Sequence, residues 1–336
     1  EPLAADGVLV NRRGAGYYVA SAAHARADAA PCPQQPPQSR YAQRLRETGP
    51  LAVGPSHRGM RFNLQYGEPL TDPLLPDVWR RALARAAAYT PLGYPHYRGL
   101  PALRAQVAAY LQRRRAIDVA PDDLLIVAGT QQALSLVARV LVDEGAPAAI
   151  EEPGYFEARW VLRAHGAQLL PVPVDRHGLR VDRLPACRPA LIYVTPAHQF
   201  PLGMAMAADR RTELLAYARR HRSWIVEDDY DGELSFDAPQ RTPLYGSDDA
   251  DRVVHIGSFS KMLAPSLRLA YLVPPRALRN DFLAAKHLAD LGCAAYEQTA
   301  LARLLESGSF LRHLRRVVSA LRQRRDALVE GLRAHG

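Results

Sequence analysis

The residues of this chain that could do chemistry are most concentrated in segment 253–273, VVHIGSFSKMLAPSLRLAYLV. An apolar stretch runs into Ser258, Ser260 and Lys261, and Arg268 follows seven residues after the lysine. A lysine at the mouth of a buried strand is costly to desolvate unless its amine is paired or covalently used. Hydroxyls and a guanidinium around it suit a phosphorylated aldehyde, because the amine can form an imine while the other groups hold the phosphate. Taken alone, the segment also fits a surface turn with a solvated lysine.

The elements that must position this segment are predicted from apolar runs bounded by turn residues. Strands are expected at 124–128, 148–151, 190–194, 224–227, 253–256 and 269–273, and helices at 76–83, 101–111, 130–141, 278–291, 296–305 and 310–332. Ligands of open α/β sheets bind at the carboxyl ends of the strands. The loops GTQ, EEPGY, EDDY and SFSK, each at a strand end, are therefore predicted to converge on one site.

Composition is that of an ordinary globular protein, with 336 residues of which 48% are hydrophobic. No apolar run reaches the roughly 20 residues of a membrane span, and no signal-peptide pattern opens the chain. Cys32, Cys187 and Cys293 are far apart, which argues against a disulfide framework or a zinc site and favours a reducing cytoplasm. The net charge of +9 permits binding to nucleic acid or anionic ligands. Because Lys261 and Lys286 are the only lysines, an arginine-rich genome explains the excess equally well.

A β-hairpin is predicted in residues 1–20, where two apolar runs flank a turn with Gly14 and Gly16. Arg12 and Arg13 would lie at its tip, where they could contact phosphate or the minor groove of DNA. A generic hairpin is the alternative. Residues 21–55, rich in Ala, Pro and Gln, are predicted to be a semi-rigid linker or a simple N-terminal arm.

The combination of SFSK with PSLR in residues 258–268 resembles the cofactor-lysine motif of fold-type I aminotransferases. The longer stretch HIGSFSKMLAPSLRLAYLVPP resembles the MocR/GabR-type transcriptional regulators, in which a GntR-type winged helix-turn-helix is fused to an aminotransferase-like domain. The resemblance implies an α/β fold with a mostly parallel seven-stranded sheet between helices, and pyridoxal 5′-phosphate bound as an aldimine to Lys261. It assigns residues 1–20 to the wing of the helix-turn-helix, 21–55 to the linker, 56–295 to the large domain, and 296–336 to an interdomain helix and the start of a small domain.

The resemblance also implies contacts to the cofactor ring. Tyr155 would stack on the pyridine, whose nitrogen would face Asp228, and Tyr230 would donate to the 3′-oxygen. A carboxylate at Asp228 keeps the nitrogen protonated, which makes the ring an electron sink. TPAHQFPLG lacks the asparagine that usually bonds the 3′-oxygen, and His198 or Gln199 is expected to replace it.

At the phosphate, the resemblance implies a turn at the start of a helix together with groups of the lysine segment: Gly129, Thr130, Gln131, Ser258, Ser260 and Arg268. Free N–H groups at a helix start bind anions. Tyr94 would reach the phosphate of the partner subunit's cofactor, or be an ordinary core or interface tyrosine. Arg159 would bind a substrate carboxylate, or be solvated. The arginine that clamps the α-carboxylate in the family is expected beyond residue 336.

No metal site is predicted. EDDYDGEL partly fits a calcium loop, but the twelfth position is Ala238 and a strand, not a helix, precedes it. The arginine-rich face of the last helix is expected to be solvated, with DNA contact as the lesser alternative.

Three functions remain open at this point. A homodimeric regulator would sense a small amine or amino acid through Lys261 and bind DNA through its N-terminal domain. A metabolic aminotransferase would use Lys261 as a proton shuttle. A structural module would carry no cofactor. The hairpin, the proline-rich linker and the HQFP loop favour the regulator.

Overall fold

The structure is a computed structural model, and it describes residues 9–12, 14, 16–19, 38–47, 69–70, 75–91, 93–235, 242–249 and 251–335. The chain divides into two units, residues 1–40 and 41–336. Each unit is described by itself.

The first unit contains the predicted antiparallel pair of strands. Strand β1 (Leu9–Arg12) pairs with β2 (Gly16–Val19), with Leu9 opposite Val19 and Arg12 opposite Gly16. Gly14 in the turn has a φ of +85°, a conformation that favours glycine. Arg12 is the last residue of β1 instead of a turn residue, and Arg13 lies outside the described residues.

The second unit is built on one twisted sheet. Its strands are β3 (Leu125–Val127), β4 (Pro147–Glu152), β5 (Gln168–Asp175), β6 (Gly178–Leu179), β7 (Leu191–Val194), β8 (Trp224–Asp229), β9 (Val253–Ser258) and β10 (Ala270–Val273). They lie in the order β3-β10-β9-β8-β7-β4-β5-β6. The five strands from β9 to β5 are parallel, whereas β10 is antiparallel to both of its neighbours. The predicted seven strands are therefore present, and the two-residue β6 adds a short eighth.

Nine α-helices surround the sheet in the described part of the chain: α1 (Arg40–Leu45), α2 (Leu75–Tyr89), α3 (Pro101–Arg115), α4 (Thr130–Leu141), α5 (Phe156–Ala164), α6 (Ala208–His221), α7 (Arg279–Asp290), α8 (Ala295–Glu306) and α9 (Ser309–His335). None of these helices is both long and apolar enough to cross a membrane.

The core lies on both faces of the sheet, as expected for parallel strands that helices cover on either side. Along β10, Ala270 and Leu272 pack with helices α4, α5 and α7, whereas Tyr271 and Val273 pack with α2, α3 and α8. The alternation follows from the two-residue period of a strand. Because helices cover both faces of the sheet, the edge at which the parallel strands end is the place where a ligand site is expected.

Residues 41–47 of the predicted linker belong to the second unit and are largely helical. In α1, Arg44 donates from Nε to the backbone oxygen of Ala164 at 2.9 Å and from Nη1 to Glu144 Oε1 at 2.6 Å. The ring of Tyr41 meets that of His165 edge-on, with 5.1 Å between centroids. Residues 41–47 are thus an attached segment and not an extended tether.

Candidate functional site

A cavity of about 770 Å³ opens at the carboxyl edge of the sheet. Its walls come from the ends of β7, β8 and β9, the starts of α4 and α5, the loop after β9, and α9. The residues that line it are Pro69, Leu70, Thr130, Gln131, Tyr155, Phe156, Glu157, Tyr193, Thr195, Phe200, Asp228, Tyr230, Asp231, Leu234, Ser258, Ser260, Lys261, Pro265, Arg268 and Leu321. The four predicted loops thus do converge, because each follows a strand whose carboxyl end lies at this edge.

Asp228 supplies a buried acceptor to this cavity. It lies near the end of β8 with 3% of its surface exposed, and its Oδ2 accepts a hydrogen bond from the hydroxyl of Tyr193 at 2.7 Å. Its Oδ1 is buried without a hydrogen-bond partner among the described residues. Burial raises the pKa of Asp228 to about 7, although the Tyr193 hydroxyl acts in the opposite direction. A buried carboxylate oxygen without a donor is costly, so this site is suited to a ligand that brings an N–H group.

An anion cradle lies at the start of α4. The first N–H groups of a helix have no partner within the helix, and Thr130 and Gln131 begin α4 at the cavity wall. Gly129 has a φ of +88°, and a Cβ there would lie 2.5 Å from Nη2 of Arg268. That guanidinium also donates to the backbone oxygen of Ala128 at 3.1 Å. Only glycine therefore lets Arg268 lie this close to the helix start.

The amine of Lys261 lies in the same cavity, just after β9. Burial lowers the pKa of Lys261, while the carboxylates of Asp231 and Asp228 act against this shift. A lowered pKa increases the fraction of neutral, nucleophilic amine. Upstream, Ser258 Oγ accepts the backbone N–H of Ser260 at 3.1 Å, which holds the turn that leads into the lysine.

Aromatic rings form one wall of the cavity. Tyr155 precedes the first residue of α5, and its ring meets that of Phe200 edge-on at 5.5 Å between centroids. Phe200 in turn lies 6.5 Å from the ring of Tyr230. Burial raises the pKa of Tyr230, so its hydroxyl remains a hydrogen-bond donor at neutral pH. Such a wall suits a flat ligand.

His198 and Gln199 are not among the residues that line the cavity. His198 Nδ1 lies 2.8 Å from Oδ1 of Asp231, and this hydrogen bond raises the pKa of the imidazole. Gln199 Nε2 donates to the backbone oxygens of Pro153 and Phe200, at 2.8 and 2.7 Å. Both side chains hold loops together, and the expected contact of one of them with the 3′-oxygen stays a prediction.

Two further predicted residues lie outside the cavity. Arg159 forms an ion pair with Glu152, and its expected role in binding a substrate carboxylate stays a prediction. Tyr94 is 92% exposed. Its expected role concerned a partner subunit, and that role stays a prediction.

The structure also brings in residues that sequence reasoning missed. Glu151, at the end of β4, is buried; its Oε2 accepts the hydroxyl of Thr195 at 2.7 Å and the backbone N–H of Thr195 at 3.2 Å. Burial raises the pKa of Glu151 to about 7. Tyr193 and Glu157 line the cavity directly. Their only sequence signal was proximity to the TPAHQFP and EEPGY loops.

Buried charges fix the loop after β8. Arg115 of α3 donates to Asp229 Oδ2 at 2.5 Å and to the backbone oxygen of Gly232 at 3.0 Å. A Cβ at Gly232 would collide with Asp229 Oδ1, so this close approach requires glycine. In the described part of the chain, no group of His, Cys, Asp and Glu side chains could hold a metal ion.

Comparison with known proteins identifies the family. The model of aminotransferase class I and II matches residues 60–336. The probable rhizopine catabolism regulatory protein MocR of Rhizobium meliloti is 36% identical over all of this chain and 68% of its own length. The HTH-type transcriptional regulator TauR of Rhodobacter capsulatus is 34% identical over 99% of the chain and 70% of its own length.

Solved structures show the same fold. LysN, the α-aminoadipate aminotransferase of Thermus thermophilus, has a TM-score of 0.76 and 31% identity over 88% of this chain and 76% of its own. An archaeal alanine:glyoxylate aminotransferase has a TM-score of 0.77 and 26% identity over 89% of this chain and 76% of its own. The fold is therefore that of the fold-type I pyridoxal-phosphate transferases. The chain belongs to the aminotransferase class I and II family and, within it, to the MocR-type transcriptional regulators.

Proposed function

We propose that this chain is the effector-sensing part of a transcriptional regulator that binds pyridoxal 5′-phosphate. The main support is that three features lie in one cavity. They are a buried carboxylate oxygen that has no donor among the described residues, the anion cradle, and a lysine amine whose pKa is lowered. These features lie at Asp228, at Gly129 with Arg268, and at Lys261. They match the ring nitrogen, the phosphate and the aldehyde of this cofactor. The residues present therefore fit the group.

Each residue has a defined task in this proposal. When bound, the cofactor supplies an aldehyde carbon that reacts with amines and a ring that withdraws electrons. The amine of Lys261 holds that carbon, and Arg268 with the first N–H groups of α4 holds the phosphate. Oδ1 of Asp228 would accept a hydrogen bond from the protonated ring nitrogen, while the Tyr193 hydroxyl donates to the other carboxylate oxygen. The Tyr155 ring restricts the cofactor to one plane.

In this proposal, regulation follows from competition between an effector amine and the Lys261 amine for the aldehyde carbon of the cofactor. A small amine or amino acid that replaces the lysine amine would free Nζ and change the charge around Asp231 and Asp228. We further propose that the protein acts as a cytoplasmic homodimer and binds DNA through its N-terminal region, whose hairpin resembles a wing. Similarity to HTH-type regulators over nearly the whole chain supports this reading.

Covalent trapping tests the cofactor proposal. The chain has two lysines, Lys261 at the cavity and Lys286, which is buried elsewhere. After incubation with cofactor and reduction with borohydride, peptide mass mapping is expected to find the pyridoxyl group on Lys261 only. Lys261→Ala should remove the label, and Lys286→Arg should keep it. Label on Lys286, or none on folded wild-type protein, contradicts the proposal.

A metabolic aminotransferase is the second candidate, favoured by the 31% identity to LysN. Turnover with panels of amino donors and keto acids, measured beside operator binding by the regulator that contains this chain, separates the two. Repeated turnover without DNA affinity would favour the enzyme. Effector-dependent DNA affinity with little turnover would favour the regulator.

A further inference from the structure

A partly buried polar cluster connects α7 to the start of α4. Lys286 of α7 is fully buried, and its Nζ lies 2.6 Å from both carboxylate oxygens of Asp290. Burying a charged pair costs free energy and rarely adds net stability by comparison with an apolar pair. A lysine at this position, in a chain with only two lysines, therefore needs an explanation beyond packing.

The cluster continues from Asp290 to the backbone before the anion cradle. Oδ2 of Asp290 accepts a hydrogen bond from Nε2 of Gln132 at 2.8 Å, and Oε1 of Gln132 accepts the N–H of Ala128 at 2.8 Å. Oδ1 of Asp290 also accepts the N–H of Gly292 at 2.9 Å. Three side chains thus form one unbroken path from a buried ammonium to the main chain at residue 128.

Ala128 is held from both sides. Its N–H is held by Gln132, and its carbonyl oxygen accepts from Nη2 of Arg268. The next residue is Gly129, which directly precedes the first residue of α4 and, having no Cβ, leaves room for the Arg268 guanidinium. The backbone of Ala128, held through both its N–H and its carbonyl oxygen, therefore decides where Arg268 lies and how the chain enters Gly129 and α4.

The positive charge of Lys286 also offsets the negative charge of Asp290. A carboxylate near a phosphate site opposes the binding of an anion, and Asp290 lies one side chain away from the cradle. Burial raises the pKa of Asp290, but hydrogen bonds from Lys286 and Gln132 outweigh this and leave it below its ordinary value. The carboxylate is therefore ionised at neutral pH, and Lys286 neutralises it.

We propose that Lys286, Asp290 and Gln132 are positioning residues for the phosphate group of the bound cofactor. They hold the backbone of Ala128, next to Gly129 and Arg268, in the orientation that binds an anion, and they remove the opposing charge. This inference rests on the proposed function. It assigns to the second lysine a role in binding that requires no contact with the ligand.

The test compares two ligands that differ only in the phosphate. Affinities of cofactor-free protein for pyridoxal 5′-phosphate and for pyridoxal are measured by titration calorimetry. Gln132→Leu, which keeps the Lys286–Asp290 pair, is expected to weaken binding of the phosphorylated ligand about tenfold, the scale of one hydrogen bond to a charged group. Lys286→Met should weaken it at least as much. Affinity for pyridoxal should change by less than about twofold.

Two further variants complete the design. Lys286→Arg keeps the positive charge and should restore most of the affinity for the phosphorylated ligand. Leu288→Ala changes an 82% exposed residue on the same helix and should have no effect. Equal losses for both ligands in Gln132→Leu would show a merely structural role, and no loss would remove any role; either result overturns the inference. If wild-type protein binds neither ligand, the proposed function fails instead. Should Lys286→Met not fold, Gln132→Leu alone decides.

Discussion

Replacing Asp228 by asparagine is expected to stabilise the cofactor-free protein at alkaline pH. Asparagine has nearly the same shape, and its carbonyl oxygen can accept the hydrogen bond that Tyr193 donates at 2.7 Å. The amide nitrogen would then replace Oδ1, the buried oxygen that has no donor among the described residues. The change removes a buried charge and keeps the packing.

The size of the effect follows from linkage between protonation and folding. The pKa of Asp228 rises from its ordinary 3.8 to about 7 in the folded protein, chiefly through burial. The folded state thus binds this proton more tightly than the unfolded chain, so stability is greatest below pH 4 and is lost as the pH rises to about 7. Between these two pKa values the free energy of unfolding of the wild type falls by about 4 kcal/mol, and the asparagine variant avoids this loss.

The assay is urea denaturation of cofactor-free wild-type protein and Asp228→Asn at pH 5 and pH 8. From pH 5 to pH 8 the free energy of unfolding of the variant should rise relative to that of wild type. The reason is that wild type loses about 1.4 kcal/mol for each pH unit over which folded Asp228 is protonated and unfolded Asp228 is not. Asp118→Asn, at an exposed position, is the matched control and should follow wild type. The reasoning is refuted if the difference between Asp228→Asn and wild type is the same at both pH values. With cofactor added at pH 8, the order should reverse, since ligand binding stabilises wild type more.

Three more predictions follow from the geometry. Tyr193→Phe removes a hydrogen bond to the ionised carboxylate and should raise the pKa of Asp228 further, which would shift the pH dependence of cofactor affinity upward by about one to two pH units; identical profiles would disprove the link. Gly129→Ala forces an alanine to a φ of +88° and crowds Arg268, so affinity for pyridoxal 5′-phosphate should fall more than about tenfold in calorimetry while that for pyridoxal falls less. Leu103→Ala empties a fully buried core position and should lower the free energy of unfolding in urea by about 2–5 kcal/mol without a selective effect on either ligand.

Most of the sheet could be predicted because its central strands are buried on both faces and read as short apolar runs. Strand β5 was not predicted, since Pro171 and Pro173 interrupt its pattern; prolines are tolerated near the sheet edge, where only the two-residue β6 follows. Helix α6 was also missed. Six of its 14 residues are charged, and only Leu214, Tyr217 and Ala218 are buried in it.

The candidate site was predictable where a motif fixes the local backbone and not where distant segments meet. The resemblance assigned Lys261 and Asp228, and the structure places Asp228 at the carboxyl end of β8 and Lys261 three residues after β9. By contrast, the hydrogen bonds of His198 to Asp231 and of Gln199 to Pro153 join loops more than 30 residues apart in sequence. The pattern of residues within one segment does not predict a hydrogen bond to a distant segment. The sequence could therefore indicate that His198 and Gln199 lie near the site, but not which residues they contact.

Helix α5 has its two ends in different surroundings. At one end, Tyr155 forms part of the cavity wall. At the other, the carbonyl oxygen of Ala164 accepts the hydrogen bond from Arg44, so α1 is fastened there. Nine helical residues span only about 14 Å, and so short a rod transmits a tilt without bending. A displacement of Tyr155 by a ligand is therefore expected to reach Ala164 and loosen the attachment of α1, and faster hydrogen exchange of α1 on ligand binding would measure it.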